Sequence, residues 1–290
     1  MKSIKKYIFL CAAFAVGSTT FAQDDPPQRS NIQQYTPSKL VGKGQWDLKW
    51  FNNLYTETED TFTGDIPRNT FFTSTLEVYT GVGQNKRWNV GAIFEFRSNV
   101  VGGRGALEVF QFDGEEGTAR SGFTSFAPSV KFVPIASVSN FSIQSSFFIP
   151  LVDNEVENGV FLDQNGFIWQ NRLFYDYTFP GDKWQLFSEI NSELNFGDAD
   201  KSFANNSLRL TPGVFLSYFP SSKFTVLVLA QHSQLLDLGS DFSQDFTALG
   251  GGAKYQLTDA LNVELLYTNF VRGSDTGLGE TFNIGLRAIF

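Results

Sequence analysis

The sequence predicts an all-β chain, a transmembrane antiparallel up-and-down β-barrel of about twelve strands, on three observations. A short basic and apolar leader opens the chain, as in exported proteins. Apolar and polar residues then alternate at period two across residues 44–290. Phenylalanine, at 32 of 290 residues, is far above ordinary usage while mean hydropathy stays at −0.14. A barrel in lipid reconciles the last two, because outward residues are apolar and inward ones polar, which leaves an ordinary average over a strong alternation. No stretch beyond the leader approaches the roughly 20 apolar residues that a membrane helix needs.

The leader reads Met1, Lys2, Ser3, Ile4, Lys5, Lys6, then an apolar run over residues 7–16 and small residues up to Ala22. That is the layout of a secretory signal peptide, with Thr20 and Ala22 three and one residues before a cut between Ala22 and Gln23. Residues 1–22 are therefore expected to be the signal peptide. Residues 23–43 are expected to form a Pro-rich periplasmic tail or linker without period, and residues 44–290 the barrel. Cys11 follows Leu10 inside the apolar run, where lipidation requires a small residue instead. It is the single cysteine, so the mature chain has no thiol or disulfide chemistry. Loss of Lys2, Lys5 and Lys6 takes the net charge from −8 to −11, which disfavours nucleic acid as a partner.

The strands follow in order. Trp46, Leu48 and Trp50 alternate with Asp47 and Lys49, and residues 72–80 continue the pattern. Trp88, Val90, Ala92, Phe94 and Phe96 alternate with Asn89, Glu95 and Arg97. Residues 126–132, 141–149 and 167–179 supply the next three strands. Trp184, Leu186, Ile190 and Leu194 alternate with Gln185, Glu189 and Glu193, followed by residues 208–218, 224–232 and 249–257. Leu261, Val263, Leu265 and Tyr267 alternate with Asn262 and Glu264, and Phe282, Ile284, Leu286, Ala288 and Phe290 close the series. Strands of about ten residues suit a tilted membrane crossing.

Connections alternate in length. Short ones fall at 83–86, 134–140, 180–183, 220–223 and 258–260, and long ones are expected at 57–69, 99–121, 151–165, 197–206, 235–244 and 272–280. Short turns face the periplasm and long loops the exterior in such barrels. Trp46, Trp88, Tyr177, Trp184, Tyr218, Tyr255 and Phe290 then fall at turn-side strand ends on the apolar face. Phe167, Trp169 and Tyr267 lie towards the loop side. These are two interfacial girdles, which a soluble β-sandwich does not need.

By the same parity the lumen receives Asp47, Glu77, Glu95, Asp176, Glu189, Glu193 and Glu264 against Lys49, Arg97, Lys131, Arg172, Arg209, Lys254 and Arg287. Unpaired charges are costly there, so two readings stand side by side: an ion-pair network that stiffens the lumen, and a polar lining with sites for a solute. The outer loops carry an excess of acids, which would concentrate cations. The segment Asp153-Asn154-Glu155-Val156-Glu157-Asn158-Gly159 has alternating oxygen ligands but not EF-hand spacing, and no metal or cofactor is expected. Gly250-Gly251-Gly252 lies mid-strand and points to a sharp bend or close packing.

Nucleophilic catalysis has one candidate base, His232, on the apolar face of its strand. Outer-membrane phospholipase places its catalytic serine two residues after the histidine. Here that position is Gln234, and Ser233 points to the other side, so no enzyme is expected.

The stretch GGGAKYQLTDALNVELLYTNFVRGSDTGLGETFNIGLRAIF resembles the C-terminal hairpins of Bacteroidetes-type outer-membrane proteins. Within it Phe282, Ile284, Leu286 and Phe290 resemble the terminal signal read by barrel-assembly machinery. The phenylalanine-rich layout is similar to MetA-like (phenol-degradation pathway) transporter barrels and, more loosely, to nucleoside-specific channels. The resemblance implies an outer-membrane channel in contact with lipid, the assembly machinery during insertion and a small solute. It carries no binding residue across. The expected function is passive passage of a small polar or amphipathic solute. The alternatives are a non-conducting structural or assembly partner and, less supported, a hydrolase.

Overall fold

The computed structural model describes residues 33, 36–112, 114–198, 202–239 and 241–290. The expected signal peptide and most of the expected tail lie outside the described residues. In chain order the strands are β1 (Trp46–Asp60), β2 (Gly64–Gly81), β3 (Trp88–Val100), β4 (Ala119–Phe132), β5 (Phe141–Pro150), β6 (Val156–Glu157) and β7 (Val160–Phe161). They continue with β8 (Ile168–Thr178), β9 (Trp184–Asn195), β10 (Ser207–Tyr218), β11 (Phe224–Asp237), β12 (Gln244–Gln256), β13 (Leu261–Ser274) and β14 (Gly277–Ile289). All but β6 and β7 form one closed barrel of twelve strands, each antiparallel to its sequence neighbour in the wall, with β1 sealing against β14. The seam ends in a reciprocal pair of backbone bonds: Trp46 N–H to Phe290 O at 2.7 Å and Phe290 N–H to Trp46 O at 3.0 Å.

The distribution of burial is that of a protein in lipid. Buried polar residues outnumber buried apolar ones, and the exposed large apolar residues include Trp46, Trp50, Phe94, Val228, Leu265 and Ile284 on the outer wall. Both girdles are present, with Trp88, Trp184 and Tyr255 exposed near the short turns and Phe167, Trp169 and Tyr267 exposed near the loops. Indole N–H groups on this face find local partners: Trp50 donates to Ser74 Oγ at 2.8 Å and Trp169 to Ser145 Oγ at 3.0 Å. The chain is an outer-membrane barrel by this architecture.

Two of the expected long loops are instead continued strands. β1 and β2 pair up to Asp60 and Gly64, with a bulge between Glu57 and Glu59, and β13 and β14 are joined by Asp275 and Thr276 alone. Residues on both faces there are polar because they stand above the lipid, so hydrophobic alternation stops while the backbone ladder goes on. The two hairpin tips bind each other: Thr61 N–H donates to Thr276 O, and Thr276 N–H to Thr61 Oγ1, both at 3.0 Å.

Two of the remaining long loops fold onto the barrel. In the β3–β4 loop a 3-10 helix, η1 (Ala106–Phe110), lies against the outer wall. Its Val109 is fully buried with Phe72, Val100 and Ala119, and Ser98 Oγ donates to Val109 O at 2.6 Å. The β5–β8 loop carries the β6–β7 hairpin and turns into the outer mouth. There Asn99 Nδ2 donates to Phe161 O and Leu162 O, and Arg97 pairs with Asp163 at 3.0 Å. At mid-wall, a Cβ on Gly250 would stand 2.0 Å from Tyr267 O and one on Gly252 2.1 Å from Leu265 O. The glycine run therefore serves close approach of β13 to β12.

Candidate functional site

Alternation in the strands aims one set of side chains at the lumen, and these enclose a cavity of about 550 Å³. Its walls divide by chemistry. One arc is charged, built from Lys49, Glu77, Glu95, Arg172, Glu189, Lys254 and Glu264. A second arc, apolar and largely aromatic, holds Phe51, Phe187, Phe215, Leu227, Leu229, Phe246 and Phe270; it is centred on β10 and β11 and shares β1, β9, β12 and β13 with the charged one. Phe246 and Phe270 stack face to face, centroids 4.1 Å apart and planes within 7°.

The charged arc is a set of ion pairs. Asp47 accepts two bonds from Arg287, at 2.8 Å from Nε and 2.6 Å from Nη2. Arg172 donates to Glu189 Oε1 from Nε at 3.1 Å and Nη2 at 2.9 Å, and reaches Glu77 Oε1 with Nη1 at 3.4 Å. Lys49 stands opposite Glu77 in the β1–β2 register and lies 5.2 Å over the Phe51 ring. Lys254 and Glu264 are register partners on β12 and β13 and form an ion pair. Phe174 is held between two cations, Lys131 Nζ and Arg172 Cζ, at 5.2 and 5.0 Å from its ring centre.

The other charged residues read from the sequence have separate partners. Glu95 accepts from Ser125 Oγ at 2.9 Å, and its neighbour Arg97 is drawn up to Asp163 of the inturned loop. Glu193 and Arg209 are register partners, 3.8 Å apart, near the outer end. Asp176 lies at the opposite end. It accepts from Ser38 Oγ, and Lys39 Nζ stands 3.4 Å from it.

That last contact involves a segment that sequence reasoning assigned to a periplasmic tail or linker. Residues 36–43 run inside the turn-side end of the barrel, and Thr36 and Pro37 line the floor of the cavity. Thr36 Oγ1 donates to Gln185 Oε1 at 3.2 Å, and Lys131 Nζ to Pro37 O. Asn89 holds Val41 from both sides, accepting its N–H at 3.0 Å and donating to its carbonyl at 2.8 Å. Thr36, Ser38 and Val41 are all buried. The high polar and proline content hid this role, because the segment binds through main-chain groups and hydroxyls rather than through an apolar period.

Sequence reasoning also missed the aromatic arc. Phe51, Phe187 and Phe215 stand at inward parity next to outward apolar residues, and β11 reads apolar on both faces over Val226, Leu227, Val228 and Leu229. That doubled pattern was the available clue.

Other candidates separate. His232 Nδ1 lies 3.0 Å from Thr247 Oγ1 on the lipid face, while Ser233 Oγ faces inward to Thr211 at 3.2 Å. The two do not form a dyad. The loop acids are engaged locally: Glu157 with Arg120 at 3.3 Å, Glu115 with Arg104 at 2.9 Å and Asp245 with Arg272 at 3.2 Å. Among the described residues no three His, Cys, Asp or Glu side chains converge as a metal site.

No family model matches the chain, and no curated protein matches its sequence. Solved structures do match in shape. An outer membrane channel from Pseudomonas putida F1 superposes with a TM-score of 0.68 at 10% identity, covering 92% of this chain and 100% of that one. The beta domain of the Bordetella autotransporter BrkA gives a TM-score of 0.54 at 12% identity, covering 86% and 99%. At these identities the likeness is one of fold.

Proposed function

We propose that the barrel is a passive, gated passage for small amphipathic solutes. The observation that carries this reading is the mixed lining of the cavity, in which aromatic and aliphatic side chains stand beside paired charges. A sugar would leave the apolar arc wet, and a pure hydrocarbon would strip water from the paired charges without replacing its hydrogen bonds. A molecule with an aromatic or alkyl body and one polar group satisfies both. The resemblance of the phenylalanine-rich layout to MetA-like transporter barrels supports the same class of solute. The segment over residues 36–43 is the gate in this reading, since it occupies the periplasmic end through a few hydrogen bonds and ion pairs.

The experiment compares the full chain with one lacking residues 23–40, each reconstituted in planar bilayers and in liposomes loaded with a binding protein for the solute. The full chain is expected to pass small currents and to admit an aromatic alcohol or acid faster than a hexose. Removal of the segment should raise conductance several-fold. A barrel that passes neither current nor solute in either form removes the proposal.

A further inference from the structure

On the opposite side of the wall from the lumen is a second concavity, about 740 Å³, open to the lipid. Its floor is the outer face of β1 to β3, with Trp50, Phe72, Leu76 and Phe94, and its roof is the β3–β4 loop, which contributes Phe110 and Phe112. Phe110 packs edge-on against Phe72 at 5.0 Å and Phe112 edge-on against Phe96 at 5.4 Å. The loop is not projecting into water. Leu107, Phe110 and Phe112 are each about half exposed or more, an arrangement suited to the hydrocarbon of the outer leaflet. Phe112 also holds a left-handed backbone, φ 52°, which bulky side chains rarely adopt, so its ring is directed at the groove at some cost.

Chemistry changes at the upper end of this groove. In the β1–β2 register, Leu54 faces Phe72, and the next outward pair is Thr56 and Thr70, whose hydroxyls bond at 3.2 Å. Arg68 is the next outward residue on β2. Its Nη1 donates to Thr56 Oγ1 at 2.9 Å, and no carboxylate among the described residues forms an ion pair with it. Among the described residues it is a cation without a counter-charge, on a rim otherwise rich in acids. Ser74, in the groove, and Arg68 are six positions apart. This is about 20 Å along the strand and, at a tilt near 40°, about 15 Å along the membrane normal, the depth of one leaflet.

We infer that this groove seats one molecule of the phosphorylated, acylated lipid A of the outer leaflet, with an acyl chain against Phe72, Phe110 and Phe112 and a phosphate on Arg68. The commitment to this lipid rests on three features: the groove opens at the loop side of the barrel, its depth matches a single leaflet, and the free cation stands where an outer-leaflet headgroup would be. This does not depend on whether the lumen conducts.

Native mass spectrometry of the purified barrel tests the inference, with added lipid A, its dephosphorylated form and phosphatidylglycerol as probes. The unaltered chain should retain one lipid A in preference to phosphatidylglycerol. Arg68→Gln should lower that retention at least fivefold while leaving retention of the dephosphorylated form unchanged. Phe110→Ser with Phe112→Ser should lower both. Heat-modifiable mobility checks folding, and if the double variant does not fold, Arg68→Gln decides alone. Equal retention by the unaltered chain and Arg68→Gln, equal retention of phosphatidylglycerol, or a second barrel copy in place of lipid overturns it.

Discussion

Arg172 on β8 and Glu77 on β2 meet at 3.4 Å, although three strands of the wall lie between them. The contact crosses the lumen rather than following the sheet, and it makes Arg172 a strut between stretches of wall four strands apart. All three members of the Glu77, Arg172 and Glu189 group keep between a tenth and a fifth of their side-chain surface exposed. Removal of the cation leaves two carboxylates facing each other in a narrow space. Arg172→Met is therefore expected to cost about 1–3 kcal/mol, less than the loss for a dry pair because solvent reaches the site. Urea unfolding in liposomes measures this. The same variant should shift reversal potentials towards cation selectivity, and Glu77→Gln added to it should reverse part of that shift.

The clamp of Asn89 on Val41 gives a test of the inner segment. Ser38→Cys introduces a unique reporter, since the native Cys11 lies in the expected leader. The reporter should resist a membrane-impermeant maleimide in the otherwise unaltered chain. With Asn89→Ala added, labelling is expected at least tenfold faster, together with noisier single-channel current. Equal labelling rates would mean that the clamp does not hold the segment.

Selectivity should depend on the aromatic arc. Phe246→Ala with Phe270→Ala removes a stacked pair of a kind worth about 0.5–1.5 kcal/mol beyond simple burial. The preference for an aromatic solute over a hexose should fall about two- to tenfold, while hexose flux stays level or rises. Competition uptake in liposomes reads both.

The glycine run makes a prediction about folding. Gly252→Val places a side chain against Leu265 O, with backbone on both sides of the collision, and should cost about 1–3 kcal/mol or prevent closure of the β12–β13 pair. Gly83→Ala meets nothing nearer than Asn85 Oδ1 at 3.4 Å and should fold as the parent does. Heat-modifiable mobility of outer-membrane fractions separates the two.

Most of the barrel was legible because a wall between lipid and a polar lumen imposes a period-two pattern on every strand. Trp46 and Trp88 gave parity, girdle and orientation together. Strand ends above the membrane were not legible, since around Thr56 to Asp60 both faces are wet and the ladder is carried by backbone alone. The charges of the site were legible one by one, but not their partners. Asp47 with Arg287 is a diagonal contact across the seam, Arg172 with Glu77 crosses the lumen, and neither separation appears in a linear pattern. The aromatic arc was obscured because phenylalanine had a sufficient reason to face lipid, so its second use inside drew no notice. Nothing in the period marks Thr36 to Val41 as an interior element.

The seam between Trp46 and Phe290 also has a bearing on the order of assembly. Every other pairing in the wall joins strands that follow one another along the chain, so those hairpins zip locally, whereas β1 must wait for β14. The segment that fills the turn-side end directly precedes β1 and is bound to side chains of β3, β4, β8 and β9. Those strands form a sheet before the cylinder closes, and they present Asn89, Lys131, Asp176 and Gln185 on its concave face. The segment therefore has an open-sided cradle during folding that no longer exists afterwards. It is installed as the wall wraps round it, like a stopper built in with the bottle.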